Sequence, residues 1–308
     1  MPARWARAAF PAITRERHDV LARDFYPAQV AKRPERRAVA SGRDAPCVPD
    51  RGYSRSEPLG MTATSNGSVR FVVVAAPRTG SNWLCSLLDS HPEILCHHEI
   101  FNPDKIACAV SLQQRGVSLG TVVERDADPV GFLNRLWRQD GAAKAVGIKL
   151  NRGQERRIFE IVISDSSIRK ILLVRQNRVR AFVSEMIAMH TGQWESYPWS
   201  KFETNRARVV VKPDALQSHT DSTRRYFDEI RSRLKATHQP FVELHYERLQ
   251  TAAEQNVALA FLGVSLVSEA LCGATYKMNP APLHELIANY ASLEVKLRGT
   301  EFYDDLVG

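Results

Sequence analysis

Short apolar runs alternate with longer amphipathic stretches over most of the chain. Four short runs are largely apolar, which is typical of strands buried on both faces of a parallel sheet. These predicted strands are residues 70–76, 145–150, 169–174 and 241–245. The predicted helices between them are residues 82–90, 154–164, 178–190, 215–237 and 247–262. The alternation predicts right-handed β-α-β units and a three-layer α/β fold, with a parallel sheet between helices.

The first 66 residues differ from the rest in composition. They are rich in Arg, with scattered Pro, Gly and Ser, which favours a disordered extension. A targeting peptide is the alternative, but Glu16, Asp19 and Asp24 count against it. The first 60 residues contain 12 of the 42 Lys and Arg residues and 7 of the 34 Asp and Glu residues. They therefore carry +5 of the net charge of +8, and the remaining +3 does not indicate nucleic-acid binding.

The cysteines and the hydropathy limit the class of protein. The five cysteines are odd in number and form no C-x-x-C pair, which predicts neither a disulfide framework nor a zinc site. No apolar run approaches the ~18 residues that a membrane-spanning helix needs. We expect a cytoplasmic protein without an integral membrane segment or a metal, and its composition is compatible with a homo-oligomer.

A strand, a tight turn and a helix start follow one another in residues 71–88, FVVVAAPRTGSNWLCSLL. Pro77 ends the strand, Gly80 permits the turn, and Ser81 or Asn82 is placed to cap the helix. Ligands of such sheets bind beyond the carboxyl ends of the strands. The pattern therefore predicts a turn that faces a ligand site.

This turn offers donors to an anion. Backbone N–H groups from Thr79 to Asn82 would converge on it with the helix dipole, and Arg78 adds a permanent cation. A purely structural turn is an equally good interpretation of the geometry alone. The P-loop signature of nucleotide-binding proteins is absent, because Gly80 is followed by Ser81 and no Gly-Lys dipeptide occurs in the chain.

A second strand end carries the same kind of chemistry, in ILLVRQNRVRAFVSEMIAMH, residues 171–190. Arg175 stands at the end of the strand, and Ser184 lies inside the next helix on a face that could return toward it. Cations at a helix start oppose the helix dipole, so they favour a bound anion nearby. In the alternative interpretation Arg175, Arg178 and Arg180 are simply solvated.

The stretch PRTGSNWL, residues 77–84, resembles the 5'-phosphosulfate loop of sulfotransferases that use 3'-phosphoadenosine 5'-phosphosulfate (PAPS). The resemblance implies that Arg78 contacts the sulfuryl and 5'-phosphate oxygens and that Trp83 lies against the adenine, although a core tryptophan is an equal alternative. The donor-binding residues implied by this loop are Arg78, Thr79, Gly80, Ser81, Asn82 and Trp83. The family's 3'-phosphate site, an Arg at a strand end and a Ser in the next helix, implies the same role for Arg175 and Ser184.

Weaker matches extend the resemblance to residues 70–299. Segments such as GIKLNRGQ and FVELHYERLQ are similar to bacterial carbohydrate and glycolipid sulfotransferases of the nodulation-protein type. The resemblance implies a P-loop-like parallel sheet in a single domain, residues 67–308. It also implies PAPS as co-substrate, no metal, and a hydroxyl of a carbohydrate or glycolipid as acceptor.

The acceptor hydroxyl needs a base, and the candidates follow the first helix. In the resembling bacterial enzymes a Glu in front of an aromatic-containing turn has this role, which implies Glu99. Its pKa would have to be raised by burial, for which Ile100 and Phe101 are placed. His98 is the alternative, because the ordinary pKa of histidine is near neutrality.

Two further features leave their roles open. Lys149 stands at the end of a predicted strand and either adds charge near the acceptor or solvates the strand end. The loop-like segment 191–208 contains four aromatic residues, Trp194, Tyr197, Trp199 and Phe202. Aromatic faces suit sugar rings or lipid-like acceptors, and covering a core edge is the alternative.

Two other classes of protein share the anion-binding turn. An ATP-dependent phosphotransferase would need the missing lysine and magnesium ligands. A non-catalytic nucleotide-binding protein would bind the anion without turnover. The identity of the acceptor does not follow from the sequence.

Overall fold

The computed structural model describes residues 67–138, 143–197 and 207–308. The predicted N-terminal extension, residues 1–66, lies outside the described residues, and so do Trp199 and Phe202. The predictions made for them stay predictions.

Five parallel strands form the sheet, in the order β2-β3-β1-β4-β5. They are β1 (Val69–Ala75), β2 (Ile94–Cys96), β3 (Ala145–Asn151), β4 (Arg169–Val174) and β5 (Phe241–His245). The four predicted strands are confirmed to within one residue. The three-residue β2 was not predicted, because so short a run has no readable period. Val73 of β1 lies opposite Lys149 of β3 and Ile171 of β4, so the carboxyl ends of these three strands lie side by side.

Helices connect the strands. They are α1 (Ser81–Ser90), α2 (Val110–Gln114), α3 (Val122–Ala127), α4 (Pro129–Arg138), α5 (Arg156–Ser164), α6 (Arg178–Thr191), α7 (Pro213–Ala236), α8 (Ala252–Leu262), α9 (Leu283–Leu286), α10 (Tyr290–Leu297) and α11 (Tyr303–Val307). The prediction of one helix over residues 247–262 is wrong. A 3-10 turn, Tyr246–Arg248, follows β5, and α8 begins only after Thr251, whose side chain accepts from the Glu254 N–H at 3.3 Å. Within the described ranges, every helix is too short or too polar to cross a bilayer.

Both faces of the sheet are covered. Alternate side chains of β1 point to opposite faces, as a strand requires. One face packs against helices that include α5 and α7, with Val72, Val74, Ile148, Ile158 and Ile230 in the shared core. The other packs against α1 and α8, with Phe71, Val73, Leu84, Leu173 and Leu259. The predicted three-layer α/β fold is therefore confirmed, with the P-loop-like arrangement of a parallel sheet between helices.

A third apolar cluster fixes α6 to the C-terminal helices. It includes Val179, Leu216, Leu286, Leu293 and Phe302. Arg178 pairs with Asp305 at 2.6 Å and also with Glu301. Arg178 is therefore paired with carboxylates. Arg175, directly after β4, is directed toward Arg78 instead.

Candidate active site

The turn between β1 and α1, residues 76–80, has an unusual backbone. Arg78 has a φ of 61° and Gly80 a φ of 87°, both in the left-handed region. Glycine adopts that region without strain, whereas Arg78 must be held there by its surroundings. A Cβ at Gly80 would lie 2.2 Å from Cδ2 of Tyr246, so the aromatic ring also requires glycine. Thr79 closes the turn by donating its hydroxyl to the Ala76 carbonyl at 2.8 Å.

The start of α1 has no side-chain cap. Gly80 is the N-cap residue, so the prediction that Ser81 or Asn82 caps the helix is wrong. Ser81 is buried, and the side chain of Asn82 bonds to other side chains instead. The first N–H groups of a helix have no partner within the helix, so an uncapped start is suited to an anion.

The two predicted phosphate-binding elements meet at this turn. Nε of Arg78 donates to Oγ of Ser184 at 2.9 Å, and another nitrogen of its guanidinium donates to the Trp194 carbonyl. Arg175 donates to the backbone carbonyl of Arg78 at 2.9 Å. The ends of neighbouring strands β1 and β4 therefore bring Arg78, Arg175 and Ser184 into one cluster.

Aromatic residues border this cluster. The Arg175 guanidinium carbon lies 4.4 Å from the centre of the Tyr246 ring, which meets Trp83 edge-on at 5.7 Å. Within the described residues, Nε of Arg175 is buried without a hydrogen-bond partner. Trp83 also packs against Gly273, where a Cβ would lie 2.5 Å from its ring. Tyr246 was not predicted from the sequence, although its place directly after β5 indicates the same edge of the sheet.

The electrostatics of the cluster favour an anion. Burial, followed by the charge of Arg175, lowers the pKa of Arg78 to about 10, against the opposing effect of Glu185 and Glu195. Burial also lowers the pKa of Arg175. Both guanidiniums are still charged at neutral pH, and each would be stabilised by an anion that replaces lost hydration.

The predicted base, Glu99, is saturated with hydrogen bonds. Its Oε1 accepts from Lys149 at 2.7 Å and Asn151 at 2.9 Å, and its Oε2 from Asn102 at 2.7 Å and Gln154 at 2.9 Å. Burial raises the pKa of Glu99, but the Lys149 ammonium and these hydrogen bonds outweigh it and lower the pKa to about 2. The expectation of a raised pKa is therefore wrong.

His98, the alternative base, is fully buried. Its Nδ1 lies 3.4 Å from Oδ1 of Asn82 and 3.2 Å from the Tyr197 hydroxyl. Its Nε2 is buried and has no hydrogen-bond partner among the described residues. Burial, assisted by the charge of Lys149, lowers the pKa of His98 to about 3, so the ring is neutral rather than titrating near pH 7.

Asn82 links the turn to the predicted base. Its Oδ1 accepts from the Lys149 ammonium, which also pairs with Glu99, and its Nδ2 donates to Glu195 at 3.0 Å. Lys149 is only 1% exposed, so the alternative that it solvates the strand end is wrong. Glu195 was not predicted from the sequence, because only the aromatic residues of its segment indicated a function.

A cavity of about 430 Å³ lies beside this network. Lys105 and Glu195 form an ion pair at its border, and its lining also includes Ala107, Gln113, Val117 and Ser118.

Trp194 is 45% exposed, whereas Tyr197 is buried against Val110 and Ala274. Of the two aromatic residues described, Tyr197 therefore covers a core edge.

Known proteins that are similar to this chain agree with the resemblance that its motifs indicate. No family model matches the sequence. The chain is 26% identical to nodulation protein H of Rhizobium meliloti (strain 1021) over 257 residues, which cover 76% of this chain and 94% of that protein. It is 28% identical to nodulation protein H of Rhizobium tropici over 208 residues, 63% of this chain and 75% of that protein. The resemblance predicted from the motifs is confirmed, and a sulfotransferase family assignment is supported.

The chain is also similar to a solved sulfotransferase from Alicyclobacillus acidocaldarius. The identity is 15% and the TM-score 0.41, with 77% of this chain and 92% of that chain covered. The strand order and the two covered faces of the sheet define the fold without this likeness.

Proposed function

We propose that this chain, which is similar to nodulation protein H, is a sulfotransferase that transfers a sulfuryl group from PAPS to a hydroxyl of a carbohydrate or glycolipid. The observation that carries the proposal is the meeting of the two predicted phosphate-binding elements. Arg78 bonds to Ser184, and Arg175 bonds to the backbone of Arg78. Two cationic strand ends in contact suit a donor that carries phosphate at both the 3' and the 5' position of its ribose.

When the donor binds, the protein would exchange some of its internal hydrogen bonds for hydrogen bonds to the donor. Its phosphosulfate oxygens would accept from the N–H groups of the β1–α1 turn and from Arg78. Its 3'-phosphate would accept from Ser184 and from Arg175, whose buried Nε has no partner within the described residues. Trp83, at the start of α1, is the proposed contact of the adenine. A guanidinium that has lost hydration gains most from such charge-assisted hydrogen bonds.

Transfer needs alignment and charge stabilisation more than covalent chemistry. The acceptor oxygen forms a bond to sulfur as the bond from sulfur to the 5'-phosphate oxygen breaks, and the 5'-phosphate leaves with the bonding electrons. Arg78 stabilises the charge that develops on this leaving phosphate. The hydroxyl proton goes to a base, which we propose is Glu99, with His98 as the alternative.

Lys149 couples the pKa of Glu99 to the proposed donor site. Lys149 holds both Glu99 and Asn82, the latter in the first turn of α1. An anionic donor at this turn would compete for the Lys149 ammonium. Because that ammonium lowers the pKa of Glu99, its transfer to the donor would make the carboxylate a stronger base.

Transfer of labelled sulfate tests the class of reaction. The full chain is incubated with PAPS labelled at sulfur and a panel of glycans and glycolipids, with a chelator in place of magnesium. We expect labelled product under these conditions and none from ATP labelled at its γ-phosphate. Transfer from ATP that requires magnesium would contradict the proposal and favour a phosphotransferase. Binding without transfer to any acceptor would favour a non-catalytic nucleotide-binding protein.

A further inference from the structure

The segment of residues 193–197 occupies hydrogen-bond donors that an anionic ligand of the turn would need. The Trp194 carbonyl accepts from Arg78. The Glu195 carboxylate accepts from Nδ2 of Asn82 at 3.0 Å. One short segment therefore supplies acceptors both to the cation of the β1–α1 turn and to the first turn of α1.

Glu195 has the surroundings of a bound anion. Besides Asn82, it accepts from the Tyr197 hydroxyl at 3.3 Å and pairs with the Lys105 ammonium. Its charge also acts favourably on Arg78, whose guanidinium bonds to the carbonyl of the preceding residue. A carboxylate in this place neutralises a cationic site while no ligand is bound.

We propose that Glu195 is an internal counter-anion of the β1–α1 turn, and that a bisphosphorylated adenosine donor binds only when Glu195 withdraws. The inference rests on the proposed function, since it concerns the same turn. Donor oxygens and the Trp194 carbonyl require the same Arg78 guanidinium, and the negative charges of the donor and of the neighbouring Glu195 carboxylate repel each other. Glu195 is thus a specificity-determining residue, because only an anion that binds the turn more tightly than the Glu195 carboxylate can displace it.

Withdrawal of Glu195 also changes the neighbouring cavity. Lys105 and Glu195 both line it, and they pair with each other in the absence of a donor. When Glu195 leaves, the Lys105 ammonium loses its partner, and the cavity gains a free cation. Donor binding and occupation of the cavity are then coupled, and such coupling acts equally in both directions.

Calorimetry with 3'-phosphoadenosine 5'-phosphate (PAP), the donor without its sulfuryl group, tests this inference. We expect Glu195→Gln and Glu195→Ala to bind PAP about tenfold more tightly than the wild type, because a charge-assisted competitor is removed. A merely structural Glu195 would give weaker binding instead. Glu185→Gln is the matched control, because Glu185 also acts on the charge of Arg78 but bonds to His219 at 3.0 Å.

Three outcomes separate the inference from the proposed function. Unchanged or weaker binding by the Glu195 variants would overturn the inference alone. Equal tightening in Glu185→Gln would also overturn it, because net charge would then be the whole cause. Absence of PAP binding by the wild type and by every variant would instead overturn the proposed donor, and the inference with it.

Hydrogen exchange of the wild type gives a test that needs no variant. Saturating PAP should slow amide exchange at the start of α1 and speed it in residues 193–197, since this segment loses its anchors. Slower exchange in both places would show that the segment stays on the donor site and would contradict the inference.

Discussion

Glu99 and Lys149 form a buried ion pair whose partners come from distant parts of the sequence. The pair is 2.7 Å long, and three amide side chains complete the shell of the carboxylate. Removal of one member of a buried pair leaves the other charge without compensation. A test of Glu99 must therefore keep its size and include a check that the variant is folded.

Glu99→Gln is such a change. If Glu99 is the base, kcat for sulfate transfer should fall by about 10² to 10⁴, the usual contribution of a general base. PAP affinity should not fall, because Glu99 does not contact the turn directly and its neutralisation frees the Lys149 ammonium for the ligand. Turnover and calorimetry on the same preparation would show both effects. A normal kcat would transfer the role of base to His98.

The pH dependence of stability tests the buried histidines. His97 accepts from the Ala109 N–H through Nδ1 at 3.2 Å, and burial lowers its pKa from 6.5 to about 3. The unfolded chain therefore binds more protons than the folded one between these values. The stability that the fold gains by keeping His97 neutral is present above pH 6.5 and is lost as the pH falls through about 3.

His97→Asn should remove that dependence, because Oδ1 of Asn replaces Nδ1 as acceptor but does not titrate. We expect its unfolding free energy to vary less with pH, between about 6.5 and 3, than that of the wild type. Denaturant unfolding across this range would measure it. The same slope in both proteins would show that His97 is not a buried neutral residue.

At the scale of elements, the sequence was most informative where a local pattern decides the structure. The strand, turn and helix of residues 71–88 were predicted because Pro77 and Gly80 interrupt an apolar run. The cap was predicted wrongly because Asn82 bonds to side chains from β3 and from the 193–197 segment. Such partners are distant in sequence, so neither they nor Glu195 could be found from local patterns.

The surroundings of Gly80 and Gly192 predict that alanine lowers the unfolding free energy more at Gly80 than at Gly192. Gly80→Ala places a Cβ 2.2 Å from the Tyr246 ring in addition to the cost of a φ of 87°. We expect a loss of roughly 2 to 4 kcal/mol in unfolding free energy, together with weaker PAP binding. Gly192→Ala is the matched control, with a φ of 71° and no neighbouring atom within 4 Å among the described residues. It should lose only about 1 kcal/mol.

Denaturant unfolding and PAP calorimetry of both variants would measure this difference. Equal losses of stability would show that backbone strain alone requires glycine, and that contact with Tyr246 does not shape the turn.

At the scale of the molecule, the order of the strands creates the site. β1 lies between β3 and β4, so the carboxyl ends of these strands bring together Arg78, Lys149 and Arg175. The sequence predicted a parallel sheet and two anion-binding strand ends, but the order of the strands came from the structure. The missed β2 precedes Glu99 and pairs with β3, so the Glu99–Lys149 pair could not be foreseen. The cytoplasmic location and a homo-oligomeric state stay predictions.

Calorimetry of PAP binding to the wild type, Arg78→Ala and Arg175→Ala tests the central claim most directly. Each variant removes one of the two cationic strand ends. The account predicts that each binds PAP about tenfold to a hundredfold more weakly than the wild type, the usual worth of a hydrogen bond to a charged group. Thermal unfolding of the same samples would confirm that both variants are folded. Wild-type affinity in both variants would contradict the account.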